Sequence, residues 1–200
     1  MKASIRRVLL LLGTLLCVLA VAGCGAAGGQ MTGARSFVHE DIRKVVGVST
    51  HIFVGRVVAV VGNEGIPTSG PGNVSIPRTQ FSVEVLENVK GELSGTVTVN
   101  QMGGADDGGI NVELEGDTLL EAGKTYLLAT WYNSDSGWYS IIAEGYGNVQ
   151  VKDVAARTRE VERFRAAIAH QILPSSSEFE KVGPVPAQFR LPPASERTAP

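Results

Sequence analysis

The chain has 200 residues, 44% of them hydrophobic, 19% charged and 6% aromatic, with a formal net charge of −2. That length allows one folded domain of ordinary size with extensions, and the charge balance lacks the basic track that a nucleic-acid backbone requires. Both cysteines fall within the first 24 residues, so the body of the chain must hold by burial without disulfides.

Lys2, Arg6 and Arg7 make a basic start, and Val8 to Ala22 is a charge-free run of fifteen residues. A spanning helix needs about 20 apolar residues. A basic start, a short apolar run and small residues at its end describe an export signal instead. Val21-Ala22-Gly23-Cys24 resembles the lipobox of bacterial lipoproteins: an aliphatic residue, a small one, Gly, then Cys. The resemblance implies a thioether-linked diacylglycerol on Cys24, cleavage between Gly23 and Cys24, and N-acylation (a palmitate-type chain) of the new terminus. An uncleaved signal anchor with an incidental cysteine is the alternative. The Arg6-Arg7 pair lacks the full context of a twin-arginine signal, so the general secretory route is favoured.

The signal is thus placed at 1–23 and a flexible linker at 24–37. Gly25, Gly28, Gly29 and Gly33 with Ala26 and Ala27 give a coil composition, suited to tethering a domain on two or more acyl chains, since one chain binds membranes only marginally. Removal of residues 1–23 takes three of the 18 basic side chains and none of the 20 acidic ones, leaving a net charge of −5.

Residues 38–172 read as the folded domain. "HEDIRKVVGV" at 39–48 predicts a short helix, and "HIFVGRVVAVV" at 51–61 a strand apolar on both faces, hence covered on both. Residues 62–73 carry four Gly and two Pro and predict an exposed loop. Phe81, Val83 and Val85 alternate with polar residues, as do Val97 and Val99, so two half-buried strands follow. Ile110, Val112 and Leu114 mark a short strand inside a long loop. "KTYLLATWY" and "WYSIIAE" flank "NSDSG", a hairpin, and "YGNVQVKD" supplies a last strand. The period then changes: Val154, Val161, Phe164, Ile168 and Ile172 share a helical face, with Asp153 as N-cap and Pro174 as stop. Six of nine prolines lie in 174–200, so 173–200 is read as a Pro-rich disordered tail.

This pattern predicts a mainly β protein: a small OB-like barrel with a C-terminal amphipathic helix. "IFVGRVVAV", "TQFSVEVLENVKGEL" with "GTVTV", "LEAGKTYLLATWY" and "EGYGNVQV" resemble the successive blocks of bacterial TIMP-like proteins, OB-type barrels related to the metalloproteinase inhibitors and netrin modules. The resemblance covers about residues 45–152. In the animal inhibitors an amino-terminal cysteine with a free α-amine reaches the protease zinc. Here Cys24 would be acylated and lies far from the first strand, so that chemistry does not carry over.

His39, His51 and His170 have no metal-like spacing, and no nucleophile elbow, phosphate loop or dinucleotide fingerprint occurs. No cofactor, metal or catalytic residue is assigned. Asp106, Asp107, Asn111, Glu113, Glu115 and Asp117 fill the loop 103–117, which reads as a solvated loop, with calcium ligation the sharper alternative. Both tryptophans and all four tyrosines lie between Tyr126 and Tyr146. Trp131 and Trp138 are therefore the candidate partner contacts, at least one of them exposed, against the alternative that both only pack across the hairpin. The expected function is a lipid-anchored, extracytoplasmic binding or interaction module at the cell membrane, with an envelope protein as partner and an inhibitor as its narrower form. A cell-envelope enzyme with a spatially assembled site is the alternative from another class.

Overall fold

The computed structural model describes residues 29–31, 41–67, 75–105, 111–114, 117–142 and 145–173. In chain order they form β1 (Gly29–Met31), α1 (Ile42–Val48), β2 (His51–Pro67), β3 (Ser75–Lys90), β4 (Thr96–Met102), β5 (Gly104–Ala105), β6 (Asn111–Leu114), β7 (Thr125–Asn133), β8 (Trp138–Ile141), β9 (Asn148–Gln150) and α2 (Val154–Ile168). The main sheet runs β2-β3-β4-β8-β7-β9, and β7 also pairs with β2, so the first five close into a ring. β4 and β8 are its single parallel pair; the other pairs are antiparallel. That order is the OB-type barrel expected from the sequence. A second, small sheet runs β1-β6-β5. Residues 1–23, expected as a signal and including Gly23, lie outside the described residues, as do Cys24 and the tail beyond Leu173. Within the 24–37 stretch expected as slack, Gly29–Met31 pairs in parallel with Val112–Leu114.

Two apolar cores meet across the same strands. Inside the ring lie Phe53, Val57, Phe81, Val83, Val99, Leu120, Tyr126, Leu128 and Ile141. Outside it, Ile52 and Val54 of β2 and Leu127 and Ala129 of β7 are covered by Val45, Val46 and Val48 of α1 and by Val161, Phe164 and Ala167 of α2. Successive strand residues point to opposite faces, so a run such as Ile52-Phe53-Val54 is stable only where both faces are covered. The expected double cover holds for this half of β2. It fails beyond Val57, where Val58, Val60 and Val61 are 54%, 59% and 57% exposed. The β2–β3 register shifts on either side of Val58 and Val61. An extra residue there breaks the alternation and bends the strand, which period-2 reading cannot see.

Each helix is fixed by named contacts. Asp41 caps α1, accepting from the Arg43 amide at 2.9 Å. The Arg43 side chain beside it, together with that amide, lowers the Asp41 carboxyl to a pKa of about 2. Asp153 caps α2 as expected, accepting from the Ala156 amide at 2.7 Å. Arg157 and Arg165 of α2 both reach Glu87 of β3, at 2.7 and 3.1 Å. The Lys90 ammonium donates to the Val46 carbonyl at 2.6 Å and to Gln171 Oε1 at 3.0 Å, tying the end of α1 to the segment after α2. The Ile172 amide donates to the Arg43 carbonyl at 3.0 Å. A Cβ on Gly47 would fall 2.2 Å from the Ile172 carbonyl oxygen, so only glycine permits this approach. Two positions differ from the expected helical face. Val154 is 78% exposed because it is the first helical residue, before α2 reaches the sheet. Ile172 lies past the helix end at Ile168 and packs by its backbone.

One end of the ring is plugged through the buried Gln101. Its amide donates to Asp117 Oδ2 at 2.8 Å and to the Thr118 carbonyl at 2.9 Å, and its oxygen accepts from the Leu120 amide at 2.9 Å. Asn148 donates to the second Asp117 oxygen at 2.7 Å. These bonds seat Leu120 in the inner core.

Phe164→Ala should cost about 3–5 kcal/mol by removing a fully buried ring, whereas Val154→Ala should stay within about 0.5 kcal/mol. Urea denaturation of the two variants checks this, and equal midpoints would show that α2 is not part of the cooperative domain.

Candidate functional site

The hairpin that carries the aromatics forms as expected. Tyr132 stands opposite Tyr139, and Asn133 opposite Trp138. The turn is closed by Gly137 N–H to the Asn133 carbonyl, 2.8 Å, and by Asp135 N–H to Asn133 Oδ1, 2.9 Å; an Asn side chain bonding two residues ahead favours such turns. Tyr126, Leu128, Tyr139 and Ile141 pack on the inner core, while Leu127, Ala129, Ile142 and Trp131 pack on the outer one. The helices thus bury part of the second face. Neither candidate tryptophan is exposed: Trp131 is half-buried against the outer core, and Trp138 is half-buried on β8.

Within the hairpin strands the exposed aromatic is Tyr132, 39% accessible, while Tyr146 in the turn that follows is 49% accessible; Tyr132 belongs to a cluster at one mouth of the ring. His51, the first residue of β2, lies 5.1 Å from the Tyr139 ring in an edge-on arrangement and 6.5 Å from Tyr132, while Tyr132 and Tyr139 are 4.9 Å apart. Such offset and edge-on pairs suit the charge distribution of aromatic rings. Thr50 organises the backbone beneath them. Its amide donates to the Thr130 carbonyl at 3.0 Å, and its hydroxyl accepts from the Tyr132 amide at 2.8 Å and lies 3.0 Å from His51 Nδ1. Gly91, with φ +72°, lets the β3–β4 turn lie against the ring: a Cβ there would fall 2.6 Å from His51 Cδ2.

Burial lowers the His51 pKa below its ordinary value, and the Lys90 charge adds to the effect. Burial also lowers the Lys90 ammonium's pKa and raises that of the Tyr139 phenol, the latter helped by Tyr132. The mouth therefore offers an imidazole biased toward its neutral form and two phenol hydroxyls on an apolar base, a surface suited to recognition through stacking and hydrogen bonds.

The remaining candidates are placed differently. His170 is exposed after α2, and His39 lies outside the described residues. Of the acidic loop, Asp117 is committed to Gln101, Thr118 and Asn148. Among the described residues no group of three or more His, Cys, Asp or Glu stands where it could hold a metal ion, and no helix is long and apolar enough to cross a membrane. Comparison with protein-family models and with curated proteins finds no match to this chain. Sequence reading missed His51 as a partner of the aromatics. Its signal was parity, since His51 shares a strand face with Phe53, but the β2–β7 pairing that brings it to Tyr132 is nonlocal.

Because the His51 pKa is lower folded than unfolded, the unfolded chain takes up the proton first as pH falls. Its contribution is full above about pH 6.5 and is lost as pH drops through the folded value. Thermal stability should fall between pH 7.5 and 5, and His51→Gln should flatten that part of the profile. An unchanged slope in the variant would show that His51 carries no charge penalty at the mouth.

Proposed function

We propose that the chain is a lipid-anchored, extracytoplasmic binding module that presents the His51–Tyr132–Tyr139 mouth of its barrel to an envelope protein. The anchor rests on Val21-Ala22-Gly23-Cys24 at the end of a fifteen-residue apolar run. The binding face rests on one observation: an exposed tyrosine held rigidly by two packed rings and a threonine at the rim of a closed barrel. Rigid aromatics lose little conformational freedom on contact, which is why they dominate binding energy at interfaces. The likeness of residues 45–152 to TIMP-like proteins agrees with an inhibitor-like use of the rim, with contacts other than Cys24.

Cys24→Ala should abolish incorporation of labelled fatty acid and leave an unprocessed precursor; release of the wild type from membranes by salt alone would contradict the anchor. For the binding face, a photo-crosslinking residue in place of Tyr132 should give a discrete adduct in intact cells, and one in place of the exposed Glu162 on α2 should not. Absence of an adduct at position 132 would overturn the assignment of the mouth.

A further inference from the structure

Beyond the barrel mouth, the described residues carry a further apolar surface, the projecting half of the β2–β3 hairpin. Past Val57 the edge of β2 away from β3 joins no strand ladder among the described residues, and Val58, Val60 and Val61 are exposed on this stretch. Arg56, at the base of this arm, is paired with Glu84 at 2.6 Å, so the valines are not shadowed by an uncompensated charge there. Exposed apolar side chains scattered singly need no explanation, but three within four residues form a patch.

The position of the chain's amino-terminal end says what meets that patch. β1 pairs with β6, and β6 with β5, so Gly29 stands two strand spacings, about 10 Å, from Gly104. β5 is fastened to the arm: Asn63 donates to the Ala105 carbonyl at 2.8 Å, and Thr79 of β3 donates to the Gly103 carbonyl at 2.8 Å. Asn63 is two residues from Val61. Four residues separate Cys24 from Gly29, and they can span at most about 18 Å whatever their conformation. An acylated Cys24 therefore holds β1, the small sheet and the arm close to the bilayer.

We infer that Val58, Val60 and Val61 form a membrane-contact patch that inserts into the headgroup boundary beside the acylated cysteine. The inference rests on the anchor reading above. It also orients the molecule, because His51 lies at the opposite end of β2, up to about 40 Å along the strand from Asn63. The patch would hold the barrel upright with its aromatic mouth away from the lipid. A lipid anchor gains from a second membrane contact, since each acyl chain alone binds reversibly.

The test uses the mature acylated chain in phosphatidylcholine–phosphatidylglycerol vesicles, with Val60→Cys carrying the fluorophore NBD. Ser136→Cys, on the exposed β7–β8 turn, is the reference position. Flotation of both with the vesicles, a blue-shifted NBD emission at position 60 and its quenching by headgroup-proximal nitroxide lipids, without quenching at position 136, is the expected result. Flotation with no lipid quenching at position 60 overturns the patch while leaving the anchor intact. If that position is also shielded from iodide, the valines are covered by protein, a second copy or a partner, and the membrane assignment is wrong. Failure of the acylated chain to float overturns the anchor, and the patch with it.

Discussion

The pairing of β2 with β7 is the constraint on which the rest depends. His51 to Arg56 lie beside Thr130 to Thr125, and this seam turns an open sheet into a ring. It is buried on both faces, Phe53 and Leu128 looking inward and Ile52, Val54, Leu127 and Ala129 outward. Backbone hydrogen bonds shielded in this way cannot be exchanged for water without exposing two cores. Along the seam, closure also removes the edges that would otherwise seek partners, leaving β2 unpaired on that side only beyond it.

The helices follow from the seam. Its outer face is apolar, so α1 and α2 must cover it, and Lys90, Glu87 and Gly47 fix how they do so. The site follows too. His51 reaches the tyrosines only because β2 begins where β7 ends. Where the seam stops, at Val57, the character of β2 changes: the Lys124 carbonyl accepts the Val57 amide at 2.9 Å, and past that point the strand projects. One strand thus supplies a rigid aromatic mouth at one end and an apolar arm at the other.

Much of this was legible in the residues. Alternation at Phe81 and Val83, the "NSDSG" turn, the Asp153 cap and the apolar spacing of Val161 and Phe164 each report a local preference, and local preferences are what a sequence displays. The double cover of Ile52-Phe53-Val54 was readable as well. The bulges at Val58 and Val61 were not, since an inserted residue changes the period without changing the composition. Nor was the small sheet, whose pairing of Gly29–Met31 with Val112–Leu114 joins segments some eighty residues apart. Clustering of rigid aromatics on the hairpin points to Trp131 and Trp138, yet Trp131 packs against the outer core. Within the hairpin strands the exposed ring is Tyr132, which shares the inward parity of Tyr126 and Leu128 but stands at the end of β7, at the mouth, where the ring no longer covers that face.

Native-state hydrogen exchange tests the seam most directly. If β2–β7 closure governs the fold, the amides of Ile52 to Val54 and of Leu127 to Ala129 should exchange only through global unfolding, tracking denaturant with the full unfolding slope. Amides of the arm beyond Val61 should open locally at lower free energy. Seam amides that exchange by local opening, while those pairing β3 with β4 remain protected to the global limit, would contradict the account.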